Sequence, residues 1–195
     1  CFGTSFTGKA VHNVIQAACK EKIERDRRRG ILNRPIRAMI VGIPNVGKST
    51  FINSFAGKAC TKTGNKPGVT KGKQWIRLNK MEELLDTPGI LWPKFEDQEV
   101  GLRLAYIGSI KDELYNIYEL SVLRLQYLRE NYPNAVSNFY GIAEEKTSEE
   151  TLKQIAEKRG CLKAGGEFDL DKAAKCLIDD FRAGKLGAIS LEMPQ

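Results

Sequence analysis

The chain has 195 residues, 42% of them hydrophobic and 28% charged, which is typical of a folded globular protein with one domain and a smaller second one. No apolar run reaches the ~18 residues that a membrane-spanning helix needs, so we expect no membrane partner. The formal net charge of +7 favours polyanionic partners such as RNA, although charge alone does not identify one.

The five cysteines include no Cys-x-x-Cys pair, and His12 is the only histidine. This pattern predicts reduced thiols in a cytoplasmic protein rather than a zinc site or a disulfide framework. The chain begins with Cys1, in what resembles the end of a strand and a loop, so we expect a further N-terminal piece to precede it.

Residues 9–29 follow a helical pattern that ends at Gly30. The apolar stripe of this predicted helix consists of Ala10, Val14, Ala17 and Ala18. Its second half is rich in Lys and Arg, which indicates a solvated helix end or a contact with RNA. Residues 37–43 are a short and nearly continuous apolar run, which predicts a buried parallel strand.

Residues 42–50, with the sequence GIPNVGKST, match the phosphate-binding pattern G-x-x-x-x-G-K-[ST] between a predicted strand and a predicted helix. We call these residues the phosphate loop. We expect Lys48 to reach the β- and γ-phosphate oxygens of a nucleotide and Ser49 to ligate Mg²⁺. The residues predicted to bind the nucleotide here are Pro44, Asn45, Val46, Gly47, Lys48, Ser49 and Thr50.

Two downstream segments complete the predicted nucleotide site. Residues 61–73 have the composition of a flexible loop, and Thr70 within them is the candidate for a second contact with Mg²⁺. The sequence Asp86-Thr87-Pro88-Gly89 follows an apolar strand, and it places Asp86 to hold Mg²⁺ and the Gly89 amide to meet the γ-phosphate. Lys48, Thr70 and Gly89 are therefore the predicted catalytic residues.

One short sequence resembles a guanine-binding motif but lies between two predicted strands, where it cannot contact a base. Asn79-Lys80 resembles the start of the Asn-Lys-x-Asp sequence with which Ras-like GTPases select guanine, but it falls between the predicted strands 74–78 and 82–86. We interpret it as the turn of a β-hairpin, where Asn and Lys are common. No Asn-Lys-x-Asp or Thr-Lys-x-Asp sequence occurs from Gly89 to Gln195.

From about residue 112 onward the sequence has helical periodicity. We place a domain boundary between residues 113 and 114, with an α/β nucleotide-binding domain over 1–113 and an all-α domain over 114–195. The second domain contributes several basic residues, among them Arg159 and Lys163, that could share a face.

Five stretches carry a resemblance to a known family. They are GIPNVGKST, KPGVT, DTPGILWPKFED, GLRLA and EKRGCL. Together they resemble ribosome biogenesis GTPase A, a bacterial YlqF-type family, from about Ser5 to the C-terminus. The resemblance implies an α/β P-loop NTPase fold with a circularly permuted order of GTPase motifs and a C-terminal all-α domain.

The resemblance also implies site residues and partners. Ser5 and Phe6 correspond to a segment whose backbone contacts guanine, and the Asn-Lys-x-Asp motif is expected before Cys1. Asn45 corresponds to an asparagine that binds K⁺ near the β/γ bridge. The implied ligands are GTP or GDP, Mg²⁺ and K⁺. The implied partners are the large (50S) ribosomal subunit and its rRNA, bound by a monomer in a nucleotide-dependent way.

Ile90 stands where Ras-like proteins have the glutamine that orients the attacking water. An aliphatic side chain cannot orient water, so hydrolysis must use another group, a cation or a partner, whether or not Ile90 also packs against the loop. Two alternatives remain open on the sequence. One is a P-loop ATPase, and the other is a nucleotide-independent RNA-binding module with a relict phosphate loop.

Overall fold

A computed structural model gives the architecture of the chain, and it describes residues 8–64, 68–91, 97–143 and 147–192. The chain divides into two compact units, Cys1–Pro93 and Lys94–Gln195, which we call the first and second units. The boundary predicted from the sequence lies about twenty residues later, between 113 and 114. No helix in the described ranges is long and apolar enough to cross a membrane.

The first unit is an α/β structure. Its elements are α1 (Gly8–Ala18), α2 (Lys20–Arg28), β1 (Ile36–Ile40), α3 (Lys48–Ala56), β2 (Gln74–Arg77) and β3 (Glu82–Asp86). The three strands form a mixed sheet in the order β1-β3-β2, in which β1 pairs with β3 in parallel and β2 pairs with β3 antiparallel. Ile52 of α3 packs with Ile76 and Leu84 of the sheet to form the core.

The register of β1 and β3 places their carboxyl ends together, because Ile40 lies opposite Asp86. In parallel sheets with this geometry, ligands bind beyond the carboxyl ends of the strands. The sheet therefore brings the phosphate loop, which follows β1, next to the Asp86-Thr87-Pro88-Gly89 segment, which follows β3.

The parallel pairing of β1 agrees with the prediction, but its burial does not. Side chains alternate across a strand, and only the face that carries Ala38 and Ile40 packs on the α3 core. On the other face Met39 is 59% exposed, and Val41, just after the strand, is 67% exposed. The prediction of a strand buried along its whole length is therefore wrong, because only alternate side chains are covered.

The predicted helix over 9–29 is divided into α1 and α2 at Cys19, which adopts a turn conformation. Its predicted apolar stripe lies on the exposed side, and Val14 is 68% exposed. The side of α1 that faces the sheet carries polar groups instead, because His12 Nδ1 and Gln16 Nε2 lie 2.6 and 3.2 Å from the buried Glu82 carboxylate.

Asn79 lies in the link of the β2–β3 hairpin, as the sequence predicts. Its Oδ1 accepts a hydrogen bond from the Met81 amide at 2.7 Å, and its Nδ2 donates to Glu82 Oε2 at 2.9 Å. The first of these bonds is an Asx-turn, the local chemistry that makes asparagine common in turns. Asn79 is therefore a structural residue of the hairpin.

The second unit is helical, apart from an isolated bridge between Leu162 and Phe168. Its elements are α4 (Gln98–Tyr106), a short 3₁₀ helix (Asp112–Leu114), α5 (Ile117–Asn131), α6 (Ala135–Tyr140), α7 (Ser148–Arg159) and α8 (Leu170–Arg182). The core lies between α5, α7 and α8, and Leu128, Ile155 and Leu177 are nearly or fully buried in it.

Arg124 of α5 is a fully buried arginine in this unit. Its guanidinium carbon lies 3.5 Å from the ring centre of Tyr106 and 3.9 Å from that of Phe181, and its nitrogens have no hydrogen-bond partner within the described ranges. Burial lowers the pKa of Arg124 to about 10. The charge is therefore stabilised by cation–π contacts with two aromatic rings, and no ion pair of Arg124 occurs among the described residues.

This arrangement predicts an order of stability at position 124. Arg124→Lys is expected to lower the free energy of unfolding of the helical unit by about 1–3 kcal/mol, because an ammonium group does not stack flat on two rings and stays buried without an acceptor. Arg124→Met, which fills similar space without a charge, is expected to cost less. Urea unfolding followed by far-ultraviolet circular dichroism measures both variants. A Lys variant more stable than the Met variant would contradict this explanation.

Candidate phosphate and metal site

The phosphate loop connects β1 to the first residue of α3. Gly47 precedes α3 with a φ of 89°, a left-handed conformation that glycine adopts without strain. Asn45 is also left-handed, with a φ of 58°, which is uncommon for a residue with a side chain. The loop thus leads directly into the N-terminus of α3, where free backbone N–H groups favour an anion.

Lys48 lies over the loop that precedes it. Its ammonium donates hydrogen bonds to the carbonyl oxygens of Gly42 at 3.1 Å and of Ile43 at 2.7 Å. Partial burial lowers the pKa of Lys48, while the Asp86 carboxylate acts in the opposite direction. The side chain is therefore held at the position where the motif predicts a contact with phosphate oxygens.

Oxygen atoms from three segments meet beside the start of α3. Ser49 Oγ lies 3.2 Å from Thr70 Oγ1 and 3.3 Å from Asp86 Oδ2. Asp86 is buried, and its Oδ1 has no hydrogen-bond partner among the described residues. A buried carboxylate oxygen without a donor, beside two hydroxyl groups, is a donor set that suits a hard cation such as Mg²⁺. The three predicted metal ligands are thus brought together.

Two contacts hold the segment after β3 against the phosphate loop. Thr87 Oγ1 donates a hydrogen bond to the carbonyl oxygen of Ile40 at 2.6 Å. Gly89 lies so close to Pro44 that a Cβ atom at position 89 would stand 2.4 Å from the Cα and N atoms of Pro44. Only a glycine fits this approach without a shift of one backbone or the other.

These segments enclose a polar cavity of about 340 Å³. The predicted residues that line it are Pro44, Asn45, Gly47, Lys48, Ser49, Thr50, Thr70 and Gly89. Asp86 does not line the cavity, but its Oδ2 lies 3.3 Å from the Oγ of Ser49, which does. Val46 is not among the lining residues either. Ser5 and Phe6, predicted to contact the base, lie outside the described residues.

The cavity also includes residues that were not predicted from the sequence. Lys62, Thr63 and Gly64 form part of its wall. Asn53, on α3, makes hydrogen bonds with the backbone of Thr61, just before these residues. The sequence contains no signal for this contact, because Asn53 and Thr61 belong to no motif and their spacing is not characteristic of a known interaction.

Ile90 is 76% exposed. The interpretation that Ile90 packs against the neighbouring loop is therefore wrong in this structure. An exposed aliphatic group next to Gly89 offers no hydrogen-bonding atom for a water molecule, so the side chain at this position contributes nothing to orienting one.

Several basic residues of the second unit are engaged in ion pairs. Arg159 Nη2 lies 2.5 Å and Lys185 Nζ 2.7 Å from the carboxylate of the buried Asp180, and Arg182 binds Asp112 at 2.8 Å. Lys158 and Lys163 are exposed. Arg159 therefore stabilises the helical unit, which makes it a poor choice for testing an RNA surface.

Comparison with known proteins yields consistent matches. A protein-family model described as "50S ribosome-binding GTPase" matches residues 37–158. Two relatives named ribosome biogenesis GTPase A are similar to the chain. The one from Bacillus licheniformis is 47% identical over 98% of this chain and 69% of its own length, and the one from Bacillus cereus is 48% identical over 93% and 63%.

Two solved structures of YlqF are also similar. A GDP-bound structure has a TM-score of 0.55 at 30% identity over 83% of this chain, and the GNP-bound structure from Thermotoga maritima has a TM-score of 0.51 at 32% identity over 80%. The chain spans 62% and 59% of these two proteins, respectively.

Proposed function

Because the chain belongs to the ribosome biogenesis GTPase A family, and with it to the GTPases, we propose that it binds Mg²⁺ and GTP in the cavity described above, hydrolyses GTP, and acts in assembly of the large ribosomal subunit. The observation that carries the proposal is the meeting of the Ser49, Thr70 and Asp86 oxygens beside the phosphate loop. Three separate segments converge there, as a site for a metal-bound nucleotide requires.

Five residues in or beside the cavity have proposed roles. Ser49, Thr70 and Asp86 would hold Mg²⁺, which when bound neutralises charge on the β- and γ-phosphate oxygens. Lys48 would exchange its contacts with the Gly42 and Ile43 carbonyls for phosphate oxygens. The Gly89 amide would donate a hydrogen bond to the γ-phosphate.

In the reaction, a water oxygen forms a bond to the γ-phosphorus while the bond from that phosphorus to the β,γ-bridging oxygen breaks. GDP leaves, and the proton of the water ends on the phosphate product or in solvent. Ile90 cannot orient the water, so we assign that task to a group supplied by a partner. We further propose that Asn45, which lines the cavity, binds K⁺ beside the bridging oxygen.

We propose a circularly permuted order of motifs, and a helical domain over 114–195 that contacts rRNA of the large subunit in a monomeric, cytoplasmic protein. Support for the ribosomal partner comes from the description of the matching family model. Support for an RNA contact comes from the exposed Lys158 and Lys163 and the net charge of +7.

Co-sedimentation with purified large subunits tests this function. We expect tighter binding with a non-hydrolysable GTP analogue than with GDP, by roughly tenfold or more, as for coupling energies of 1–3 kcal/mol. The double variant Lys158→Glu with Lys163→Glu is expected to weaken binding and to reduce its dependence on salt, because phosphate contacts release counterions.

A control on the same helix is the single reversal Lys153→Glu, compared with Lys158→Glu alone. Lys153 is exposed and forms only a surface ion pair, with Glu149 at 2.8 Å. Lys153 lies five residues before Lys158 on α7 and is turned from it by about 140° around the helix axis. Its loss should leave binding nearly unchanged. Equal binding with GDP and the analogue would contradict the nucleotide-dependent function, and undiminished binding of the double variant would remove these lysines from the RNA surface.

A further inference from the structure

The side chain of Asn53, on α3, makes three hydrogen bonds with the backbone of the loop between α3 and β2. Asn53 Oδ1 accepts hydrogen bonds from the amides of Cys60 and Thr61, each at 2.9 Å. Asn53 Nδ2 donates to the carbonyl oxygen of Thr61 at 2.9 Å. Both backbone groups of Thr61 are therefore bound by one side chain, which fixes where the chain enters the cavity wall.

The same loop is attached to the metal-binding residue Ser49 at two points. Thr61 Oγ1 donates to the Ser49 carbonyl oxygen at 3.2 Å, and Thr70 Oγ1 lies 3.2 Å from Ser49 Oγ. The two ends of the wall also approach each other, because a Cβ atom at Gly64 would lie 2.9 Å from Val69 Cγ2. Residues 62–64 thus lie between Thr61 and Thr70, and both of these threonines contact residues on one turn of α3.

Lys62 follows the anchored Thr61 directly and lines the cavity together with Lys48. Thr70, which is predicted to contact Mg²⁺, and Gly89, which is predicted to meet the γ-phosphate, line the same cavity. Lys48 belongs to a different segment, because it begins α3 and its ammonium binds the Ile43 carbonyl. Two lysines on different segments therefore line the cavity, and the phosphate-loop motif accounts only for Lys48.

We propose that Lys62 is a catalytic cation that contacts the terminal phosphate of GTP, and that Asn53 is the positioning residue that fixes it there. The inference rests on the proposed function. Negative charge on the transferred phosphoryl group and on the leaving β,γ-bridging oxygen is stabilised by a fixed positive group that transfers no proton. Lys62 would supply this charge from within the chain, whereas the aliphatic side chain of Ile90 carries neither a charge nor a hydrogen-bonding atom.

GDP has no terminal phosphate, so the proposal predicts a selective effect. Lys62→Ala is expected to lower kcat for GTP hydrolysis by roughly 10- to 100-fold. It should weaken binding of a non-hydrolysable GTP analogue more than it weakens binding of GDP. Lys62→Arg keeps the charge and should retain most of the activity. Assays in NaCl exclude a contribution from K⁺ bound at Asn45.

Lys58→Ala is the matched control, because Lys58 is an exposed lysine shortly after α3 that does not line the cavity. It removes the same charge and should leave kcat and both affinities within about twofold, because a solvent-exposed charge outside the cavity is largely screened. Circular dichroism of each variant verifies that the fold is retained.

A double-mutant cycle tests the role of Asn53. Asn53→Ala is expected to lower kcat in the parent but to have little further effect in a Lys62→Ala background, because the two residues act through one contact. Independent, additive losses would show that Asn53 has a structural role only. The variant Thr61→Val, which removes one anchor and keeps the backbone bonds to Asn53, should give a smaller loss that is also absent without Lys62.

Failure of the proposed function and failure of the inference about Lys62 give different results. If the parent chain neither binds nor hydrolyses GTP, the proposed function is wrong, and the role of Lys62 is wrong with it. If the parent hydrolyses GTP and Lys62→Ala does so at the same rate, or loses affinity for GDP and the GTP analogue equally, the inference about Lys62 is wrong and the proposed function stands.

Discussion

Gly89→Ala is expected to reduce GTP hydrolysis by about 100-fold or more, the loss associated with a displacement of about 1 Å at a reacting group. A Cβ atom at position 89 would lie 2.4 Å from two backbone atoms of Pro44 and 2.9 Å from the carbonyl carbon of Ile43. Backbone atoms cannot give way as the end of a flexible side chain can. The methyl group would therefore push the γ-phosphate segment and the phosphate loop apart.

The measurement is single-turnover hydrolysis of GTP, with the affinity for GDP measured beside it. Gly72→Ala is the matched control, because a Cβ atom at Gly72 meets no atom within 4 Å and its backbone is not left-handed. It should hydrolyse GTP at nearly the parental rate. If Gly89→Ala were as active as Gly72→Ala, the close approach to Pro44 would have no role in forming the site.

Lys48→Ala is expected to lower the affinity for GTP and GDP by roughly 100-fold or more, since hydrogen bonds to charged groups contribute about 1.5–3 kcal/mol each and Lys48 would make two. The motif assigns the ammonium to the β- and γ-phosphate oxygens, so both nucleotides lose a contact. This differs from Lys62→Ala, for which GTP alone should be strongly affected.

Fluorescence titration with labelled GDP measures the Lys48 variant, again beside Lys58→Ala. Parental affinity in Lys48→Ala would contradict the contact assigned between Lys48 and the phosphates. A Lys48→Ala variant that supports large-subunit maturation as the parent does would favour a nucleotide-independent RNA-binding module with a relict phosphate loop.

The parts of the site that follow local rules could be predicted from the sequence. The phosphate loop has a fixed spacing of glycines, lysine and serine, and a strand before it and a helix after it confirm its context. Thr70 and Asp86 are expected near Ser49 because the segments that carry them belong to the same motif set, and their oxygens lie 3.2 and 3.3 Å from Ser49 Oγ. The sequence indicates a turn at Asn79 because this residue lies between two predicted strands.

Contacts between side chains in different elements of the fold could not be predicted from the sequence. Met39 and Ala38 belong to one apolar run, but only the structure shows which of them packs against α3. The sequence indicates that Arg159 is a surface charge. In the structure it forms an ion pair with Asp180, which is twenty-one residues away on another helix. The Asn53–Thr61 contact joins a helix to a loop without any periodic or motif signal.

Release of phosphate from GTP by the chain, measured with Mg²⁺ and with EDTA, decides whether this cavity is a magnesium-dependent GTPase site. We expect release that requires Mg²⁺, falls to background in Lys48→Ala, and is not matched when ATP replaces GTP. Release that persists in EDTA or in Lys48→Ala would contradict the claim that this cavity is a magnesium-dependent GTPase site, and equal release from ATP would favour a P-loop ATPase.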